Sequence, residues 1–122
     1  MLYMLLINTD ESYYGTLSEE QMGQLMGEYM QFGEEIEKAG VQITNHRLRP
    51  SSSTTTVRVR NGEVLSTDGP FAETKEQCGG YYLIDVKDLD EAIAWAAKIP
   101  SSKYGAIEVR PIWVDEDSGG QS

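Results

Sequence analysis

The chain has little cysteine, histidine and positive charge, and it has no long apolar run. One cysteine, Cys78, excludes an intrachain disulfide and a cysteine-built metal cluster, and it fits a reducing compartment. One histidine, His46, leaves no second imidazole at zinc-ligand spacing. The apolar run Leu2 to Ile7 is too short to span a bilayer and has no basic segment ahead of it, so it reads as a strand in a cytoplasmic protein without a membrane partner. Lysine and arginine total 10 against 20 acidic residues, for a net charge of −10. That field repels a phosphate backbone, so nucleic acid is not an expected partner. The scarce positive charge is concentrated in Arg47, Arg49, Arg58 and Arg60. These arginines either solubilise a hairpin face or present one guanidinium, such as that of Arg58, to a small anion.

A length of 122 residues suits one domain, placed at residues 1–114. Residues 115–122 form an acidic, Gly-rich tail with nothing to bury, where disorder is expected. After the first strand a polar loop, Asn8 to Thr16, leads to a helix announced by its chemistry. Ser18 and Gln21 form a capping box, Leu17 and Met22 a hydrophobic staple, and Gly40 a left-handed end. Met22, Leu25, Met26, Tyr29, Phe32, Gly33 and Ile36 recur at helical spacing as one apolar face. Val41 to Leu48 reads as a second strand and Thr54 to Arg60 as a third. Asn61-Gly62 accepts the positive φ of a type I′ turn, which pairs Arg60 with Glu63 and Val59 with Val64. Gly79-Gly80 opens a strand over Tyr81 to Val86. Asp88 caps a second helix with an apolar face of Leu89, Ala92, Ile93 and Ala96, and Ile107 with Val109 marks a last strand.

The order β-α-β, hairpin, β-α-β predicts an α+β fold of the ferredoxin-like split βαβ kind with an inserted β-hairpin. Both helices lie on one sheet face. The first strand is apolar on both sides, so the other face needs cover that a homodimer packed sheet against sheet would supply.

The runs Thr55-Thr56-Val57-Arg58-Val59-Arg60, Thr67-Asp68-Gly69-Pro70-Phe71-Ala72-Glu73-Thr74-Lys75-Glu76-Gln77 and Gly79-Gly80-Tyr81-Tyr82-Leu83-Ile84-Asp85-Val86 resemble the DGPF-type members of the YCII-related family. The likeness continues through Asp88-Leu89-Asp90-Glu91-Ala92 and Val109-Arg110-Pro111-Ile112. It implies a dimeric α+β barrel and little chemistry, because the family's role is largely unassigned. It also implies a functional link to an extracytoplasmic-function sigma factor, beside whose genes DGPF-type genes are often found. A smaller branch of the family is suggested to use a helix-1 histidine and an aspartate before a proline near the end of helix 2. Here those positions fall near Tyr29 and at Ile99, so that acid/base pair is not carried over.

The candidate site is the signature loop: Asp68, Phe71, Glu73 and Lys75, with His46 and Arg58 as further ligand-binding candidates. Asp68 is expected to hold the turn by accepting from backbone amides two residues on, and Phe71 to anchor the loop in apolar surroundings. Glu73 and Lys75 would set a negative and a positive group side by side at a pocket rim. His46 is the one group with an ordinary pKa near neutrality, though on a strand beside Arg47 it suits an exposed role equally. Cys78 reads as a buried thiol. Tyr13, Tyr14, Tyr81 and Tyr82 suit either a ligand pocket or the core. No cofactor or metal is expected. Three readings follow: a small-molecule-binding or sensing homodimer, an enzyme performing proton transfer or hydrolysis on a small polar metabolite with Asp68 or Glu73 as base, and a protein-interaction module.

Overall fold

Burial alternates strictly along strand β1 (Leu2–Asp10), where Tyr3, Leu5, Ile7 and Thr9 point inward and their neighbours are half-buried. One face of a sheet built on this strand is therefore covered, and the other is open in the single chain. The computed structural model describes residues 1–114, and the tail expected at 115–122 lies outside the described residues. After β1 come a 3-10 turn (Glu11–Thr16), α1 (Glu19–Ala39) and β2 (Gln42–Arg47). A short 3-10 turn (Ser51–Ser53) leads into β3 (Thr55–Arg60) and β4 (Glu63–Asp68). The chain closes with β5 (Glu76–Asp85), α2 (Leu89–Lys98), a 3-10 turn (Pro100–Lys103) and β6 (Ala106–Pro111).

The main sheet has the order β2-β5-β1-β6, with every pair antiparallel. With β3 and β4 set aside as an insertion, that is the ferredoxin-like arrangement of two interleaved βαβ units. The sheet is open, and no barrel closes within the described residues. The hairpin β3–β4 is a separate two-stranded sheet whose register pairs Arg60 with Glu63 and Val59 with Val64. Asn61 at φ 52° and Gly62 at φ 79° supply the turn.

The capping box forms as the residues dictate: the Ser18 hydroxyl accepts from the Gln21 amide at 3.1 Å and the Gln21 side chain accepts from the Ser18 amide at 2.9 Å. Gly40 ends α1 at φ 72°. Phe32 and Ile36 of α1 meet Ala92 and Ala96 of α2 over Leu5, Ile84 and Val86. Each large side chain fully buried here contributes roughly 1.5–3 kcal/mol.

Three expectations are corrected. Leu89 and Ile93 are exposed, while Ala92, Trp95, Ala96 and Ile99 face the core. At about 100° per residue, Leu89 and Ile93 sit on the flank of that stripe. The stretch Asn8 to Asp10 is strand, because β5 starts at Glu76 and pairs it with Cys78, Gln77 and Glu76 past a bulge. Cys78 lies in this extension and is exposed. Gly80 sits inside β5 for a packing reason, since a Cβ there would lie 2.9 Å from the His46 carbonyl oxygen on β2.

Candidate functional site

Three backbone features assemble a cleft at the end of the sheet where β1 finishes. Asp10 caps the first 3-10 turn, accepting from the Ser12 amide at 3.0 Å and the Ser12 hydroxyl at 2.6 Å. Those bonds, helped by the charge of Lys75, hold the Asp10 carboxyl below its ordinary range. The turn presents Tyr13 and Tyr14. After α2, Pro100 opens the last 3-10 turn, which presents Ser101 and Lys103 and leads to Tyr104. Gly105 then lets the chain close onto β1: a Cβ there would lie 2.4 Å from the Asn8 carbonyl oxygen. Helix α1 supplies Leu25, Glu28 and Tyr29.

The rings pack against one another. Tyr13 stacks on Tyr104 at 4.2 Å between centroids, and Tyr14 meets both edge-on. Their hydroxyls belong to a chain. Tyr29 bonds Ser101, Ser101 bonds Tyr104 at 3.1 Å, Tyr104 donates to Tyr14 at 3.3 Å, and Tyr14 donates to Thr9 at 3.3 Å. Each hydroxyl has one proton, so the direction is set along the line. With Tyr104 donating to Tyr14, Ser101 donates to Tyr104 and Tyr29 to Ser101. Ser101 and Thr9 are buried. Burial pushes the phenols of Tyr29 and Tyr104 upward, against the opposing effect of their bonds to Ser101. Burial, with Tyr29 nearby, raises Tyr82 to about 12.

A cavity of about 290 Å³ opens beside the chain, lined by Tyr13, Leu17, Gln21, Gln24, Leu25, Glu28, Pro100, Lys103 and Tyr104. Lys103 and Glu28 face each other across its rim at 3.6 Å. A larger hollow of about 380 Å³ lies between α1 and β2, lined by Met30, Gly33, Glu34, Glu37, Gln42, Asn45 and Tyr82. The smaller cavity is the stronger candidate, because Tyr104, a member of the hydroxyl chain, lines it beside the stacked Tyr13, whereas the larger hollow meets no member of that chain.

The residues singled out from sequence lie elsewhere and do not form one cluster. His46 is on the open face of the sheet, its ring 5.7 Å from that of Tyr81 and its Nε2 3.5 Å from the Thr44 hydroxyl. Arg58 is on the hairpin opposite Leu65, and Asp68 ends β4 opposite Thr55. Asp68 does not hold the turn. The residue two positions on is Pro70, which has no amide to give. The turn is instead closed by the Gly69 amide on the Thr54 carbonyl at 2.7 Å and by the Thr56 hydroxyl on the Gly69 carbonyl at 2.7 Å. Phe71 is 77% exposed, so its ring does not anchor the loop on this chain's core. Glu73 and Lys75 are exposed and line neither cavity. What fixes the loop is Gln77, whose amide donates to the carbonyls of Ala72 at 3.1 Å and Thr74 at 3.2 Å. Among the described residues, no three His, Cys, Asp or Glu side chains converge as metal ligands, and no helix is long and apolar enough to cross a membrane.

Sequence reasoning passed over Ser101 and Tyr104. The available signal was positional: the helix-1 site that the resemblance gives to histidine falls near Tyr29, and Tyr29 meets the residue just past Pro100. Ile99 itself is fully buried in the core.

An antiparallel four-stranded sheet with two helices on one face, and a cleft at its end, defines an α+β protein of ferredoxin-like build. Within that class the YCII-related domain family matches residues 1–115. An uncharacterized protein of Rhizobium meliloti (strain 1021) is 39% identical over 114 residues, covering 92% of each chain. The chain belongs to the YCII-related family.

Proposed function

We propose that the protein is a cytoplasmic small-molecule-binding homodimer whose ligand lies in the tyrosine cleft. The hydroxyl chain Tyr29–Ser101–Tyr104–Tyr14–Thr9 carries this reading. Ring packing is satisfied by phenyl groups alone, whereas a directed line of hydroxyls beside a cavity suits recognition of a polar group. The stacked Tyr13 and Tyr104 offer a flat wall, with the amides of Gln21 and Gln24 and the ammonium of Lys103 around it.

Binding is favoured over proton transfer by the direction of the pKa shifts. Tyr29, Tyr82 and Tyr104 are moved up and Asp10 down, so each moves away from neutral pH. A general acid or base works best when tuned toward the operating pH. A functional link to an extracytoplasmic-function sigma factor is part of this reading, with ligand occupancy as the input.

The homodimer reading is supported by the open face of the sheet, where Leu2, Met4 and Leu6 of β1 stand beside Tyr81 and Leu83 of β5. Covering that face with a second copy removes apolar area from water at about 25 cal/mol per Å² and makes the dimeric α+β barrel.

A second reading keeps the ligand at the signature loop of Asp68, Phe71, Glu73 and Lys75. The observation in its favour is the clamp by Gln77, which presents Glu73 and Lys75 from a fixed backbone.

A thermal-shift screen of a broad metabolite library tests the cleft. Compounds that raise the melting temperature of the wild type should lose their effect on Tyr104→Phe. If every such compound stabilises Tyr104→Phe equally, the hydroxyl chain is packing and nothing more.

A further inference from the structure

The lining of the tyrosine cleft separates into apolar surface, amides and a single pair of opposite charges. Gln21, Gln24, Leu25 and Glu28 fall three and four positions apart, so they share one face of α1, and that face lines the cleft. Tyr13, Leu17, Leu25 and Tyr104 give the lining its apolar surface, and all four are only half-buried. At about 290 Å³ the cavity stands at the small end of ligand sites, which run from roughly 300 to 1,000 Å³. It suits a metabolite with one ring system.

Charge in the lining is balanced. Lys103 supplies one cation and Glu28 one anion, 3.6 Å apart at the rim, with side chains 71% and 38% exposed. An ion pair so open to water contributes little to stability, and opening it for a ligand costs little. A simple anion drawn to Lys103 meets the Glu28 carboxylate beside it, and a simple cation drawn to Glu28 meets the Lys103 ammonium. A ligand with both charges on neighbouring atoms satisfies both partners. It is also neutral overall, so the field of a chain with net charge −10 does not repel it.

We propose that the cleft binds a free aromatic α-amino acid. Its ring lies against Tyr13 and Tyr104, its carboxylate accepts from Lys103 and its ammonium donates to Glu28. The proposal rests on the cleft reading and gives it a ligand class. Aromatic rings pack on tyrosine faces and edges without needing an exact partner. The amides of Gln21 and Gln24 can donate to the carboxylate or accept from the ammonium.

Calorimetric titration of the full-length protein tests this with phenylalanine, tyrosine and tryptophan. For each ring the matching arylethylamine and arylpropionate keep only the ammonium or only the carboxylate. At least one amino acid should bind about tenfold more tightly than both of its analogues. Glu28→Gln should weaken that amino acid and its amine by about tenfold and leave the arylpropionate unweakened. Lys103→Met should weaken the amino acid and the arylpropionate and leave the amine unweakened. Both are exposed changes that should keep the wild-type melting temperature. An analogue that binds as tightly as its parent, or an amino acid that both variants bind like the wild type, overturns the proposal. Failure of all three amino acids to bind also overturns it, and the cleft reading stands wherever library compounds still lose their effect on Tyr104→Phe. Compounds that all stabilise Tyr104→Phe equally overturn the cleft reading and the ligand class together.

Discussion

Tyr29 and Ser101, separated by 72 positions in the chain, meet hydroxyl to hydroxyl where α1 passes over the turn that follows α2. Ser101 is fully buried and also bonds Tyr104, so it joins helix, turn and aromatic stack at one atom. The two partners are not equivalent. Tyr29→Phe leaves Ser101 its bond to Tyr104 and should cost about 1 kcal/mol. Ser101→Ala leaves the Tyr29 hydroxyl without its acceptor and takes the donor from Tyr104, and should cost about 1–3 kcal/mol. Urea unfolding with unchanged m-values measures both, and a larger loss for Tyr29→Phe contradicts the direction assigned to the chain.

The raised tyrosines make stability fall at alkaline pH. Below about pH 10 both folded and unfolded Tyr82 keep their proton. Between 10 and about 12 the unfolded chain releases it while the folded protein retains it, so unfolding is favoured as pH rises through that window. Tyr29 and Tyr104 act in the same direction. The melting temperature should drop across this range, and Tyr82→Phe should flatten the drop relative to wild type. Tyrosinate absorbance should show these phenols ionising above the ordinary tyrosine range.

Glycines in this chain divide by what a Cβ would meet. At Gly105 it would lie 2.4 Å from the Asn8 carbonyl and 2.7 Å from the Thr9 methyl carbon, so Gly105→Ala should cost about 2 kcal/mol or more and disturb the cleft. Gly27, inside α1 with open space around it, should behave oppositely. Gly27→Ala should add about 0.5–1 kcal/mol through helix propensity. Thermal unfolding of the two variants decides whether the Gly105 contact positions the Tyr104 turn.

The signature turn gives a similar contrast. Asp68→Ala should change stability by less than about 0.5 kcal/mol, as at other exposed sites. Thr56→Val removes the 2.7 Å bond to the Gly69 carbonyl and should cost about 1 kcal/mol. If Asp68→Ala proves the costlier change, the aspartate holds the turn after all.

Much of the fold was legible because local chemistry spells it out. The Ser18–Gln21 box, the Gly40 cap and the Asn61-Gly62 register each depend on residues a few positions apart. The cleft was not, because its hydroxyls come from β1, two 3-10 turns and α1, and no local pattern links Thr9 to Ser101. Short 3-10 turns have no periodicity to read, and Tyr14 and Tyr104 suit the core as well as a site. The signature loop drew attention for the opposite reason: Asp68 to Gln77 is conspicuous in sequence, yet Gln77, its clamp, acts through two carbonyls.

Backbone amide NMR of the 15N-labelled protein, titrated with the strongest compound from the thermal-shift screen, is the most direct test of the binding-site assignment. The account predicts shifts centred on Tyr13, Leu25, Lys103 and Tyr104, abolished in Tyr104→Phe and retained in Glu73→Gln. Shifts centred on Phe71, Glu73 and Lys75, retained in Tyr104→Phe, would place the ligand at the signature loop and contradict the cleft.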